Sequence, residues 1–188
     1  MADYEKIIPL TLVHEGGWSD DPEDTGGATK YGVSLTFAKS TRDKMFDKDG
    51  DGRITRNDIK LLTKADAAAA FRKYFWNKPY GLDSLNSDKK AYVVFDAAMN
   101  NGPANATRFI QRACRTLGYN LEVDGVYGPM TKKALEDAPV DEFCEAFLDY
   151  RERFFHAIVK NRPSQKVFLK GWLNRINAIR KDLQNLTC

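Results

Sequence analysis

The strongest periodicity in the chain lies in its last third. From residue 140 to about 160, Phe143, Phe147, Tyr150, Phe154 and Ile158 recur every three to four positions, with Asp, Glu, Arg and Lys between them. That spacing draws one apolar stripe along a helix, a packing face, and turns the charge to the other side. Arg162-Pro163 interrupts the run, because proline has no N–H to donate and restricts the residue before it. Phe168, Trp172, Ile176, Ile179 and Leu183 then line a final helix. Upstream, residues 91–100 (Tyr92, Val93, Phe95, Asp96, Met99) read as a central core helix stopped by Asn100-Asn101-Gly102-Pro103, and 104–117 as another ended by Gly118. Residues 56–76 are apolar at helical spacing with a break near Thr63, and 77–81 form a turn. In 123–131 an Asp124-Gly125 turn leads into a helix with Pro129 early in it, best read as a structural turn.

The first helix-compatible run, residues 3–14, ends where Gly16-Gly17 follow Glu15, since paired glycines are poor helix residues. Glu15 is therefore delivered at a helix terminus. The next twenty residues, rich in Gly, Asp, Thr and Ser, suit a short hairpin or irregular lobe whose backbone can approach a ligand closely. The predicted architecture is mainly α, one domain over 1–188, with an N-terminal part (1–90) carrying this lobe and a helical C-terminal part (91–188).

Composition narrows the partners more than the fold. At 188 residues and 43% hydrophobic, the chain is long enough for one well-buried core and short for two ordinary domains. The formal net charge of +3 favours an anionic polymer without diagnosing one. Lys and Arg are spread along the chain and no zinc-ligand, helix-turn-helix or aromatic RNA-binding signature stands out, so nucleic acid is not implied. Three cysteines without CxxC spacing argue against a disulfide framework, and Cys114 and Cys144 are expected to pack as small apolar residues. The N-terminal residues lack a basic leader, and the apolar stretch at 7–13 is too short to span a membrane. A soluble, monomeric chain made in the cytoplasm is the expectation.

Glu15 and Asp24, nine residues apart, are the candidate catalytic pair. Beside Trp18 and Val13, Glu15 is expected to be partly shielded from water, the setting of a proton donor, while Asp24 among polar loop residues suits a carboxylate. Two carboxyl groups in unlike surroundings are the minimal apparatus for cleaving a glycosidic bond: one protonates the leaving oxygen, the other activates or positions water.

Glu15-Gly16-Gly17-Trp18, then Pro22-Glu23-Asp24-Thr25-Gly26-Gly27-Ala28-Thr29-Lys30-Tyr31-Gly32-Val33-Ser34, resembles glycoside hydrolase family 108, phage and prophage N-acetylmuramidases marked by E-G-G-aromatic and P-x-D-x-G-G-x-T-x-x-G-[IV]-[ST]. The likeness continues through Tyr74-Phe75-Trp76, residues 96–103, Gln111-Arg112-Ala113, residues 124–131 and 171–175. It implies a bilobed lysozyme-like helical fold, Glu15 as catalytic acid, Asp24 and Thr29 as second residues, and peptidoglycan as substrate. Thr29 falls one position short of the spacing found in the wider phage lysozyme class. On the same resemblance Trp18, Tyr31 and Asn100 are candidate substrate-binding residues, the segment 124–131 is similar to part of peptidoglycan-binding modules, and a holin would give the enzyme access to the periplasm and cell wall. The rival readings are a lytic transglycosylase, which leaves an anhydro sugar, and a non-catalytic calcium-dependent wall-binding module.

A second motif, inserted at about 40–60, stands apart from the first. Residues 47–58, DKDGDGRITRND, fit an EF-hand loop, with Asp47, Asp49 and Asp51 at positions one, three and five, Gly52 at the sharp turn, the Arg53 carbonyl at seven and Asp58 at twelve. Three carboxylates within five residues repel one another unless a hard cation neutralises them. A structural calcium ion is the expectation. Asp at twelve, shorter than the usual Glu, shifts the preference toward weaker binding or magnesium.

Overall fold

In a computed structural model, which describes residues 1–13, 15–20 and 27–186, the chain is mainly helical. It divides into two compact units, residues 8–73 and residues 1–7 with 74–188. The first helix, α1 (Tyr4–Leu12), carries Pro9 in its second half and contributes to both.

The unit of residues 8–73 is built from short pieces, each started by a side chain. Strands β1 (Thr29–Lys30) and β2 (Val33–Ser34) pair antiparallel, Thr29 opposite Ser34 and Lys30 opposite Val33. Their two-residue turn has positive φ at both Tyr31 (50°) and Gly32 (80°), the hairpin geometry whose twist matches the strands it joins. The Ser34 hydroxyl accepts the Phe37 N–H and so caps α2 (Leu35–Thr41). Two capping boxes follow, Thr55 with Asp58 opening α3 (Arg56–Leu61) and Thr63 with Asp66 opening α4 (Lys64–Phe71). In each, the Thr side chain satisfies a backbone N–H of the first turn and the Asp reaches back to the cap's own N–H. The break expected near Thr63 is thus a cap. Val33, Ala38, Phe46, Ile59, Leu62 and Phe71 are buried in this unit.

The other unit is made of long helices: α5 (Asp88–Asn101), α6 (Pro103–Thr116), α7 (Pro129–Asp137), α8 (Val140–Asn161) and α9 (Lys166–Asn185). The predicted central helix is α5, with residues 90–98 all buried. It packs against α6 and α8, and α9 lies on α8. Tyr4, Trp76 and Phe95 meet edge to face with ring centroids 5.1–5.6 Å apart. Cys114 on α6 and Cys144 on α8 are buried. Cys188 lies outside the described residues.

At the centre of the long-helix unit sits an ion cluster that periodicity concealed. Asp96, fully buried, receives Arg151 Nη1 at 2.6 Å and Arg175 Nη2 at 2.7 Å. Arg151 is itself 1% exposed and donates through Nε to Asn101 Oδ1 at 2.9 Å. Burial pushes the Asp96 carboxyl up, but the two guanidinium groups hold it below the usual carboxylate range. One residue thereby ties α5 to both α8 and α9.

The Asp124-Gly125 turn is structural in the way its sequence suggested. Gln111 on α6 reaches into it, donating to Asp124 Oδ1 at 2.7 Å and accepting the Gly125 N–H at 2.9 Å. Gly125 has φ 83°, and a Cβ there would stand 2.9 Å from Arg108 Cζ and 3.1 Å from the Ala104 carbonyl oxygen. Pro129 opens α7, as predicted. The stripe on α8 departs from expectation. Phe143 and Phe147 are fully buried, whereas Tyr150, Phe154 and Ile158 are only half-buried. The second half of this packing face borders open grooves instead.

Candidate active site

Glu15 stands three residues beyond α1, and its N–H donates to the Leu12 carbonyl at 3.1 Å, closing the last turn. Gly16 leads directly to the hairpin, its carbonyl accepting the Tyr31 N–H at 3.2 Å. Ser19 pairs with Thr29 through two backbone bonds of 2.9 and 2.8 Å, adding a third extended segment beside β1. The chain after Glu15 is thereby folded back on residues 29–31.

The consequence falls on the Glu15 side chain. A Cβ at Gly32 would lie 2.7 Å from Glu15 Oε2, 3.0 Å from Cδ and 3.2 Å from Cγ. The carboxyl group therefore rests on the hairpin tip itself, in space that only a glycine at positive φ leaves open. The sequence pattern contains Gly32, but nothing in its spacing reveals that the residue seats Glu15.

The remaining predicted residues fare unequally. Thr29 is half-buried, with its hydroxyl donating to the Gly27 carbonyl at 3.0 Å. The Tyr31 ring lies under two ammonium groups, Lys30 Nζ at 5.3 Å and Lys64 Nζ at 5.9 Å from its centroid. Trp18 is 40% exposed and Val13 76% exposed. Both therefore present surface to solvent. Glu15 is half-buried against the hairpin. Asp24, the predicted second carboxylate, lies outside the described residues. Asn100 is exposed at the end of α5 and donates to the Asp96 carbonyl at 3.0 Å. Its neighbour Asn101 is the one bound to Arg151.

The acidic loop has its own geometry. Asp47, Asp49 and Asp58 each offer a carboxylate oxygen within 4.8 Å of the others. Asp47 accepts the N–H groups of Gly50 and Gly52, at 2.9 and 3.0 Å. Asp58 is fully buried and accepts from the N–H groups of Lys48, Asp49 and Thr55. Burial alone would raise its carboxyl, but these bonds hold it below the usual range. Asp51 is exposed, takes the Arg53 N–H at 2.8 Å, and is not among the three converging carboxylates. The Arg53 side chain is exposed.

Comparison with known proteins decides the family. The model of glycosyl hydrolase 108 matches residues 8–102, just over half of the chain. The chain belongs to glycosyl hydrolase family 108. A second model, described as a predicted peptidoglycan domain, matches residues 105–177 of this glycosyl hydrolase. Among solved structures, SagA of Brucella abortus is similar to it at 28% identity and a TM-score of 0.73, over 97% of this chain and 94% of that one. No curated protein matches. The two models together make the family 108 chain a peptidoglycan-degrading glycosidase, and its helical architecture is lysozyme-like. No helix among its described residues is long and apolar enough to cross a membrane.

Proposed function

We propose that this glycosidase is an N-acetylmuramidase of the phage-endolysin type, cleaving the β-1,4 bond between N-acetylmuramic acid and N-acetylglucosamine, with Glu15 as general acid. The observation that carries the reading is the seating of the Glu15 carboxyl against Gly32, inside the segment matched by the hydrolase family. Glu15 protonates the glycosidic oxygen as the C1–O bond breaks; the hydroxyl of a water molecule adds to C1, and its proton leaves to the second carboxylate, assigned to Asp24. Thr29 helps hold that water. Exposed Trp18 and the Tyr31 ring offer apolar faces to sugar rings.

The test is digestion of purified Gram-negative peptidoglycan with mass spectrometry of the soluble products. The wild type releases muropeptides with reducing N-acetylmuramic acid ends, and Glu15→Gln is slower by about 10³-fold. Anhydro ends would transfer the protein to the lytic transglycosylases, and full activity in Glu15→Gln would remove the acid from its role. In the endolysin reading a holin opens the way to the wall, so expression lyses cells only when a holin is co-expressed.

For the loop at 47–58 we propose a structural calcium ion. The donors are all hard carboxylate oxygens, three of them convergent, which fits a divalent cation of the calcium or magnesium kind. Asp47, Asp49 and Asp58 would hold it, with Asp51 and the Arg53 carbonyl as the further ligands of the motif. The ion would neutralise the clustered charge ahead of α3. At a calcium concentration a hundredfold above Kd, bound ion adds about 2.7 kcal/mol of stability, read as a Tm rise of about 5–10 °C over excess chelator. An unchanged Tm overturns the proposal, and a rise with magnesium alone reassigns the ion.

A further inference from the structure

The half-open stripe on α8 borders a groove in the long-helix unit, a cavity of about 430 Å³ between α6 and α8 whose walls include Arg108, Arg112, Tyr150, Arg153 and Phe154. Arg112 and Arg153 flank one ring: their guanidinium carbons stand 5.9 and 5.3 Å from the Tyr150 centroid. The Tyr150 hydroxyl is fixed by Thr116 at 3.0 Å. Arg108 donates to the Asp124 carbonyl at 3.1 Å, so the Gln111-braced turn holds it in place. Arg108 also acts on the Asp124 carboxylate, whereas among the described residues neither Arg112 nor Arg153 has a carboxylate partner.

The charge is sorted rather than scattered. The acids of α8 that could have neutralised the groove turn to α9, where Arg180 takes Glu145, Asp149 and Glu152 at 3.1, 2.7 and 3.0 Å. A second cavity of about 450 Å³ shares Phe154 and Ala157 with the first and runs on to Arg162, Gln165 and Trp172. There the Trp172 ring is stacked between Phe155 at 4.9 Å and Phe168 at 5.9 Å. The adjoining pair, a trough along α8, thus has cations over an aromatic ring at one end and a stacked aromatic cluster with a side-chain amide at the other. It lies wholly within the segment matched by the peptidoglycan model.

We infer that this trough binds the peptide stems of peptidoglycan, the Arg112 and Arg153 guanidinium groups pairing with stem carboxylates while Phe154 lies against an adjoining sugar. The inference rests on the proposed action on peptidoglycan and adds a site outside the Glu15 lobe. A planar guanidinium fork matches a carboxylate bidentately, and a ring beneath it fixes its plane. A polymer whose anionic groups hang from an uncharged sugar backbone complements an arginine cluster running into an aromatic floor.

The test measures co-sedimentation of full-length protein at 4 °C in the Glu15→Gln background. One target is Gram-negative sacculi with stems; the other is glycan strands freed of stems by an amidase, with the lactyl carboxylates so exposed converted to amides. Arg112→Ala with Arg153→Ala weakens binding to stem-bearing sacculi at least tenfold, and binding to stripped strands is weak and equal with or without the substitutions. The matched Arg→Lys pair restores only part of the loss, because lysine keeps the charge and loses the fork. Both side chains are exposed, and circular dichroism confirms that the variants fold. Unchanged binding, an equal loss on stripped strands, or an equal loss on a double-stranded DNA fragment would overturn the inference. Cleavage by Glu15→Gln at the wild-type rate, seen as released reducing ends, would strike Glu15 from its role as acid and leave the difference between the variants readable.

Discussion

The two units of this chain solve the same problem with different means. In residues 8–73 the helices α2, α3 and α4 have six to eight residues and each start is a side-chain bond to nearby backbone: Ser34, Thr55 with Asp58, Thr63 with Asp66. In the other unit helices of fourteen to twenty-two residues, α7 excepted, are joined by groups far apart in sequence, Asp96 with Arg151 and Arg175, Gln111 with Asp124 and Gly125. Local bonds fix where a loop goes without demanding a large core, so the unit that carries Glu15 can be assembled from short helices, a hairpin and loops. Long-range pairs instead lock helices whose apolar faces would tolerate sliding.

Breaking the long-range kind has the largest effect on stability. Asp96→Ala removes the carboxylate that the two guanidinium groups share, Arg151 being buried among helices; removal of one partner of such a cluster costs about 3–5 kcal/mol. Thermal unfolding is expected to drop by about 10 °C, and a loss of only a degree or two would show the cluster to be dispensable.

Gly32→Ala strikes the local kind at its most sensitive point. The added methyl must displace the Glu15 carboxyl, and the backbone at φ 80° is unfavourable for alanine. Activity on peptidoglycan should fall about 10²-fold through misplacement of the acid, with a stability cost of about 1–2 kcal/mol. If activity tracked stability alone, the close approach would have no catalytic meaning.

The smallest effect belongs to the caps. Thr63→Ala should cost about 1 kcal/mol, a Tm shift of about 2–4 °C. Its partner Asp66 sharpens the point through pH. Burial pushes its carboxyl up, but Lys48 and the Thr63 backbone and hydroxyl donors pull it below the ordinary value. A depressed folded value means that the Asp66 contribution is complete above about pH 4 and is lost as pH falls through the lower folded value. Asp66→Asn should therefore flatten the acid limb of the Tm profile, and an unaltered limb would assign that loss to other carboxylates.

The same contrast decides what could be read from the chain. Caps and turns are local, so Thr63 as a break, Pro129 as a helix start and Gly16-Gly17 as a stop follow from neighbours one to three positions away. Helix spans of the long-helix unit were legible from periodicity. Asp96, by contrast, reads as one polar position in an apolar helix, and its partners are 55 and 79 residues distant; no spacing announces them. The place of Glu15 just beyond a helix was legible from Gly16-Gly17, but its seat on Gly32 was not, since it depends on a hairpin tip folding back. The α8 stripe misled in its second half because aromatic residues at helical spacing can face a groove as readily as a core, and periodicity does not say which.

Cys114 and Cys144 carry a practical corollary. Neither thiol is near solvent, and burial pushes the Cys114 thiol up to about 12 against the pull of Lys90. Such groups are chemically silent until the helices around them part. In a chain with Cys188 replaced by serine, the rate of alkylation becomes a clock for transient opening of the long-helix unit, ticking independently of whether Glu15 is turning over substrate.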